Sequence, residues 1–189
     1  MARYAVLGED LSDAESLKVL IRRIACNDRL TVHTKGYGGC SELLRKGARD
    51  LDELSDGGYE RFVVAYDADQ QDPVARFAEA RSCVVERSHV ASSACCVVVP
   101  IQELEAWLLA DVAALSKKWR GWEPKPIANP ELIRDPKEHL ERLSRDSKRR
   151  PRYSHATDNP WLAKQVNLAL VEEKCPSFVV LADFVRANP

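Results

Sequence analysis

The residues best equipped for chemistry are carboxylates that follow apolar runs. Asp67-Ala68-Asp69 closes RFVVAYDAD, residues 61–69. Side chains alternate along extended chain, so two aspartates spaced this way leave a strand tip on the same side. Like charges held that close repel, and a divalent cation between them relieves the repulsion. Oxygen donors of this kind suit Mg²⁺ or Mn²⁺. Taken alone, the same triplet also suits a turn that merely ends a strand. Glu9 and Asp10 follow an earlier apolar run, residues 4–7, and Glu103 and Glu105 follow a later one, residues 95–100.

Those acids need a scaffold that delivers them to one place. YAVLG, LTVHTK, RFVVAY and CCVVVP read as four strands. Helical spacing follows the first, with Ser12 or Asp13 as cap and Leu17, Leu20, Ile21 and Ile24 as inner face. A second helix spans residues 41–54, and a long one opens at Pro73. Strands alternating with helices predict an α/β fold with a mostly parallel sheet and helices on both faces. Ligands of such sheets bind outside the carboxyl ends of the strands, where Glu9, Asp67 and Asp69 stand. After the fourth strand, helical spacing puts Glu103, Trp107 and Asp111 on one face and Glu105 on another. No GxGxxG or Walker lysine follows the first strand, so no nucleotide cradle is indicated.

The 189 residues suffice for one sizeable domain with an appendage. With 28 basic and 29 acidic side chains the net charge is -1, so any polyanion site must be a local patch. Six cysteines show neither a disulfide framework nor zinc spacing with the histidines. No signal-peptide pattern or membrane-length apolar run is present, which points to a reduced, cytoplasmic protein without membrane contact.

Composition shifts after Ser116. The expected division is an α/β domain over residues 1–116 and a basic loop with a helical C-terminal extension over residues 117–189. Trp119 and Trp122 are interleaved with basic residues there, and Lys148, Arg149, Arg150 and Arg152 form the strongest positive run. Such a run suits a nucleic-acid backbone. Lys35, beside the glycine-rich turn 36–39, is a further candidate phosphate contact. Helices are expected over residues 137–145, 161–172 and 176–186, with Pro160 and Pro176 marking the last two starts.

LGEDLSDAESLKVL, VVAYDAD and VVVPIQELEAWLLAD resemble, in order, the blocks of Toprim (topoisomerase–primase) domains. The likeness is to small Toprim-like proteins of unknown function, related to the nuclease domain of the OLD (overcoming lysogenisation defect) family. It implies a Toprim-like, Rossmann-type sheet and Mg²⁺- or Mn²⁺-dependent cleavage of phosphodiester bonds in DNA or RNA. Glu9, Asp67, Asp69 and Glu105 would be the catalytic, metal-binding carboxylates. The second acid of the first motif stays open between Asp10 and Asp13. The likeness also admits a non-catalytic module controlled by a protein partner in a phage-defence or toxin–antitoxin-like system. A receiver-like role with Asp67 as phospho-acceptor fits less well, because no later strand ends in a clear lysine.

Overall fold

The structure, a computed structural model, describes residues 2–119 and 125–189. Four strands, β1 (Tyr4–Gly8), β2 (Val32–Gly36), β3 (Arg61–Ala65) and β4 (Cys95–Val98), form an all-parallel sheet in the order β2-β1-β3-β4. The strands read as continuous apolar runs because both faces are covered. Tyr4, Val6, Val63, Ala65, Cys96 and Val98 enter one core. Ala5, Leu7, Phe62, Val64, Tyr66 and Val97 enter the other. The fold is α/β with a helical C-terminal part.

Helix α1 (Leu11–Ile24) and the C-terminal helices cover the first face. Helix α2 (Cys40–Asp56) and α3 (Pro73–Ala80) cover the second. The cap of α1 is Asp10, whose carboxylate accepts from the Asp13 amide at 2.9 Å. Neither Ser12 nor Asp13 caps it, so the Asp13 carboxylate is free for another role. The start of α1 is pinned by Gly36, where an added Cβ would lie 2.2 Å from the Leu11 nitrogen.

Helix α3 is shorter than its apolar pattern predicts. It stops at Ala80 and passes into a π-helical turn over Arg81–Val85. Its inner positions are Arg76 and Ala80, while Val74 and Phe77 face outward.

After β4, residues 101–104 form no helix, and α4 (Glu105–Leu108) begins only at Glu105. The face expected for Glu103, Trp107 and Asp111 therefore does not exist, because helical periodicity does not reach back to Glu103. Trp107 packs edge-on against Phe178, with centroids 5.2 Å apart. Asp111 caps α5 (Val112–Lys118) and accepts from the Asn167 amide at 2.8 Å.

The C-terminal part comprises α6 (Pro136–Leu143), α7 (His155–Gln165), α8 (Leu168–Lys174) and α9 (Pro176–Ala187). Its apolar residues join the core of the first sheet face, so the two expected regions share one interior. Pro160 lies inside α7 and does not start it. The helix begins six residues before Trp161, where Asp158 accepts from the Ser154 amide at 2.9 Å. Asn167 then caps α8, splitting the expected 161–172 helix in two. Trp119 is 3% exposed and packs edge-on against Tyr153, so it belongs to the core and not to a displayed stacking surface. Arg120 and Trp122 of the expected basic loop lie outside the described residues.

Candidate active site

Three strand ends deliver acid to one cavity of about 300 Å³ at the carboxyl edge of the sheet. Glu9 leaves β1, Asp67 follows β3, and Glu103 and Glu105 follow β4. Asp10 and Asp13 come from the first residues of α1 and the turn before it. Six carboxylates thus line the cavity against one cation, Lys137, among the described residues. Tyr37, Gly38 and Gly39 complete a wall.

The three glutamates of the cavity are each held by a different element. The Asp67 amide donates to Glu9 Oε1 at 3.0 Å, tying the ends of β1 and β3. The Ala68 and Asp69 amides donate to the carbonyls of Pro100 and Gln102, each at 3.0 Å, which draws the chain after β4 alongside. Glu103 Oε2 accepts from the Lys137 amide at 2.9 Å at the start of α6. Glu105 is 4% exposed, and its Oε1 accepts from the Tyr153 hydroxyl at 2.9 Å and Asn159 Nδ2 at 3.0 Å.

The electrostatics follow from this crowding. Burial raises the Asp67 carboxyl well above its ordinary range, and the charges of Asp13, Glu105, Glu9 and Glu103 push it further. Burial likewise pushes Asp13 up to about 8, helped by Asp10, Glu105 and Glu9 and opposed by Lys137. Glu9 is raised by burial, against the Asp67 amide and the Arg76 guanidinium. Glu103 is raised by burial, against the Lys137 amide and charge.

Asp69 stands apart. It is exposed and does not line the cavity. The alternation that would align it with Asp67 needs extended chain, but β3 ends at Ala65 and Asp69 has a left-handed φ of 47°. Its charge is still felt by Glu9 and Glu103.

The expected basic contacts divide. Lys35 is committed to Asp50, 2.9 Å away, a carboxylate that is 1% exposed and also accepts from the Tyr37 hydroxyl at 2.7 Å. Arg150 forks onto Asp146 Oδ2 with contacts of 3.0 and 2.8 Å, and Arg152 Nε donates to the Ser144 carbonyl at 2.8 Å. Lys148 and Arg149 are exposed, and their side chains have no partner among the described residues.

Several members of the site have no clear sequence signature. Asp10 and Asp13, between which the first motif stays open, both line the cavity, whereas Lys137 reaches it only through tertiary packing. Arg76 sits on a helix whose apolar residues suggest another inner face.

A domain family described as "Domain of unknown function (DUF4276)" matches residues 9–186. The chain belongs to the DUF4276 family. The matched span includes every acid of the cavity and the extension that holds Glu105, so the site is built within the family's own domain. No curated protein and no solved structure matches the chain.

Oxygen donors, crowding by like charge and carboxyls raised by their neighbours all favour a divalent cation here. The acids nevertheless surround the cavity without converging on a point: among the described residues, no three His, Cys, Asp or Glu side chains form a ready-made ligand group. Charge and donor chemistry fit; a bound cation would require the side chains to close in.

Proposed function

We propose that the cavity binds one or two Mg²⁺ or Mn²⁺ ions and that the protein hydrolyses phosphodiester bonds in DNA or RNA. The observation that carries this reading is the confinement, among the described residues, of six carboxylates with a single lysine at the carboxyl edge of a parallel sheet. Glu9, Asp67 and Glu105 would hold the metal, with Asp13 and Glu103 beside them and Asp69 at the rim. A bound divalent ion supplies Lewis acidity and a more acidic water. The chain's own contributions are positional. The Asp67 amide orients Glu9, and Tyr153 and Asn159 orient Glu105. Lys137 offers positive charge to an entering phosphate. Lys148 and Arg149 are free to meet a nucleic-acid backbone.

The resemblance to Toprim and OLD-type nucleases supports the same chemistry, and a phage-defence setting comes with it. A cytoplasmic location agrees with six cysteines that form no disulfide. No described helix is long and apolar enough to cross a membrane.

The test is cleavage of single- and double-stranded DNA and RNA in the presence of Mg²⁺ or Mn²⁺, with Asp67→Asn as control. Metal-dependent cleavage that disappears in the folded variant supports the reading. Equal cleavage by both proteins rejects it.

A non-catalytic module controlled by a protein partner is the second reading. It is favoured by the lack of a ready-made ligand group among the described residues. Absence of metal binding by the folded wild-type protein would select it.

A further inference from the structure

Helix α3 turns a guanidinium toward the base of the acidic cavity. Arg76 is 7% exposed, a depth at which arginine is seldom found unless it is paired. Its Nε donates to the Asp67 carbonyl at 3.1 Å. One terminal nitrogen lies 3.9 Å from Glu9 Oε1. The other donates to the Tyr66 hydroxyl and lies 3.4 Å from Glu79 Oε2. The guanidinium also stacks on the Tyr66 ring, 3.8 Å from its centroid, and the Tyr66 hydroxyl donates to Glu79 at 2.7 Å.

A helix-surface ion pair would need only Glu79, three residues along. Arg76 instead extends past it to the main chain of Asp67 and the carboxylate of Glu9. Those two groups are already joined, because the Asp67 amide donates to the same Glu9 oxygen. Arg76 therefore contacts both residues that this hydrogen bond joins, Asp67 at its carbonyl and Glu9 at its carboxylate. It does so from behind, since it is not among the residues lining the cavity.

We propose that Arg76 is a positioning residue for the cation site, holding the Glu9 carboxylate and the Asp67 main chain in one arrangement without touching substrate. This rests on the metal-binding reading above. Only a planar fork reaches Asp67, Glu9 and Tyr66 together; lysine offers a single charged point.

The test uses the full chain with Arg76→Gln and Arg76→Lys, reading amide hydrogen exchange in the metal-free protein and Mn²⁺ titration. In Arg76→Gln, exchange at the Asp67 amide should accelerate about tenfold or more while Val63 and Val64 keep their protection. Mn²⁺ affinity should fall by about tenfold or more. Arg76→Lys should recover part of the affinity and little of the Asp67 protection. Unchanged Asp67 exchange in Arg76→Gln overturns the proposal. So does an equal loss of protection at Val63 and Val64, which would mark a role in global stability alone. Should Arg76→Gln fail to fold, Tyr66→Phe, which removes only the hydroxyl steadying the guanidinium, takes its place with the same readouts. A wild-type protein that ignores Mn²⁺ would sink the metal reading, and the exchange data would still decide for or against Arg76.

Discussion

The Tyr153 hydroxyl donates to Glu105 Oε1 at 2.9 Å, joining residues 48 apart in the chain. The C-terminal extension is thereby part of the acidic cavity's construction. Asn159 donates to the same oxygen, and the hydroxyl of Tyr153 also meets the Asn159 carbonyl oxygen, closing a three-membered buried network. Tyr153→Phe should leave Glu105 with one donor and cost about 1–3 kcal/mol in stability, measured by urea unfolding. It should also weaken Mn²⁺ binding. Unchanged stability and affinity would mean that the network does not hold Glu105.

Stability without metal should fall as pH rises from about 4 to about 8. The native carboxyls of Asp67, Asp13, Glu9 and Glu103 are raised, so the native state holds protons that the unfolded chain has released. Each such proton contributes a slope of about 1.4 kcal/mol per pH unit, always toward lower stability at higher pH. The window runs from the unfolded carboxyl value to the native value, which for Asp13 is about 8. Carboxyls lowered in the native state, such as Glu15 and Asp50, act below this window and in the opposite sense, and His139, lowered from 6.5 by burial and by Arg142, opposes the fall within it. Thermal melts in chelator from pH 5 to pH 8 check the slope. A flat or rising profile would show that the acids are not crowded in solution.

Gly36 and Gly39 should respond very differently to alanine. At Gly36 a Cβ meets main chain, 2.2 Å from the Leu11 nitrogen, so α1 or β2 must shift. At Gly39 a Cβ meets open space, and only the left-handed φ of 104° opposes it. Gly39→Ala should cost about 1–3 kcal/mol. Gly36→Ala should cost more than that and disturb the Glu9–Asp13 segment. Comparable melting temperatures for the two variants would contradict this.

The exposed pair Lys148 and Arg149 should matter for nucleic acid and not for folding. Replacing both by alanine should leave thermal stability within about 0.5 kcal/mol. The same change should lower the salt slope of nucleic-acid binding by about two, one for each cation withdrawn from a phosphate. Lys35→Ala should behave in reverse, costing stability because the buried Asp50 carboxylate keeps Tyr37 and Arg49 but loses its closest cation. Binding that ignores the double substitution would move the nucleic-acid surface elsewhere.

The sheet is legible in the sequence because strands buried on both faces leave unbroken apolar runs, as in VVAY and CCVVV. Glu9, Asp67 and Glu105 are legible because strand ends in a parallel sheet share one edge. Asp69 departs from the expected place because period-two alternation stops where β3 stops. Glu103 does not share a helix face with Trp107 because helical spacing does not hold before α4 begins at Glu105. Lys137 and Arg76 are hidden for another reason. They owe their places to partners on other elements, Glu103 for one and Asp67 with Glu9 for the other, and periodicity records only which side faces inward. Pro160 shows the same limit, since a cap at Ser154 and the buried Asp158 set the start of α7 ahead of it.

On the proposed reading, the crowding of these acids serves to hold a cation. Calorimetric titration of Mn²⁺ into wild-type protein and Asp67→Asn, paired with melts of both in chelator at pH 8, tests it most directly. Saturable binding by the wild type and at least about tenfold weaker binding by the variant are the expected results. The metal-free variant is expected to melt higher than the wild type, because a carboxyl made costly to ionise by burial and like charge gives way to a neutral amide. A wild type that takes up no Mn²⁺, or a variant that binds it equally well, would contradict the account.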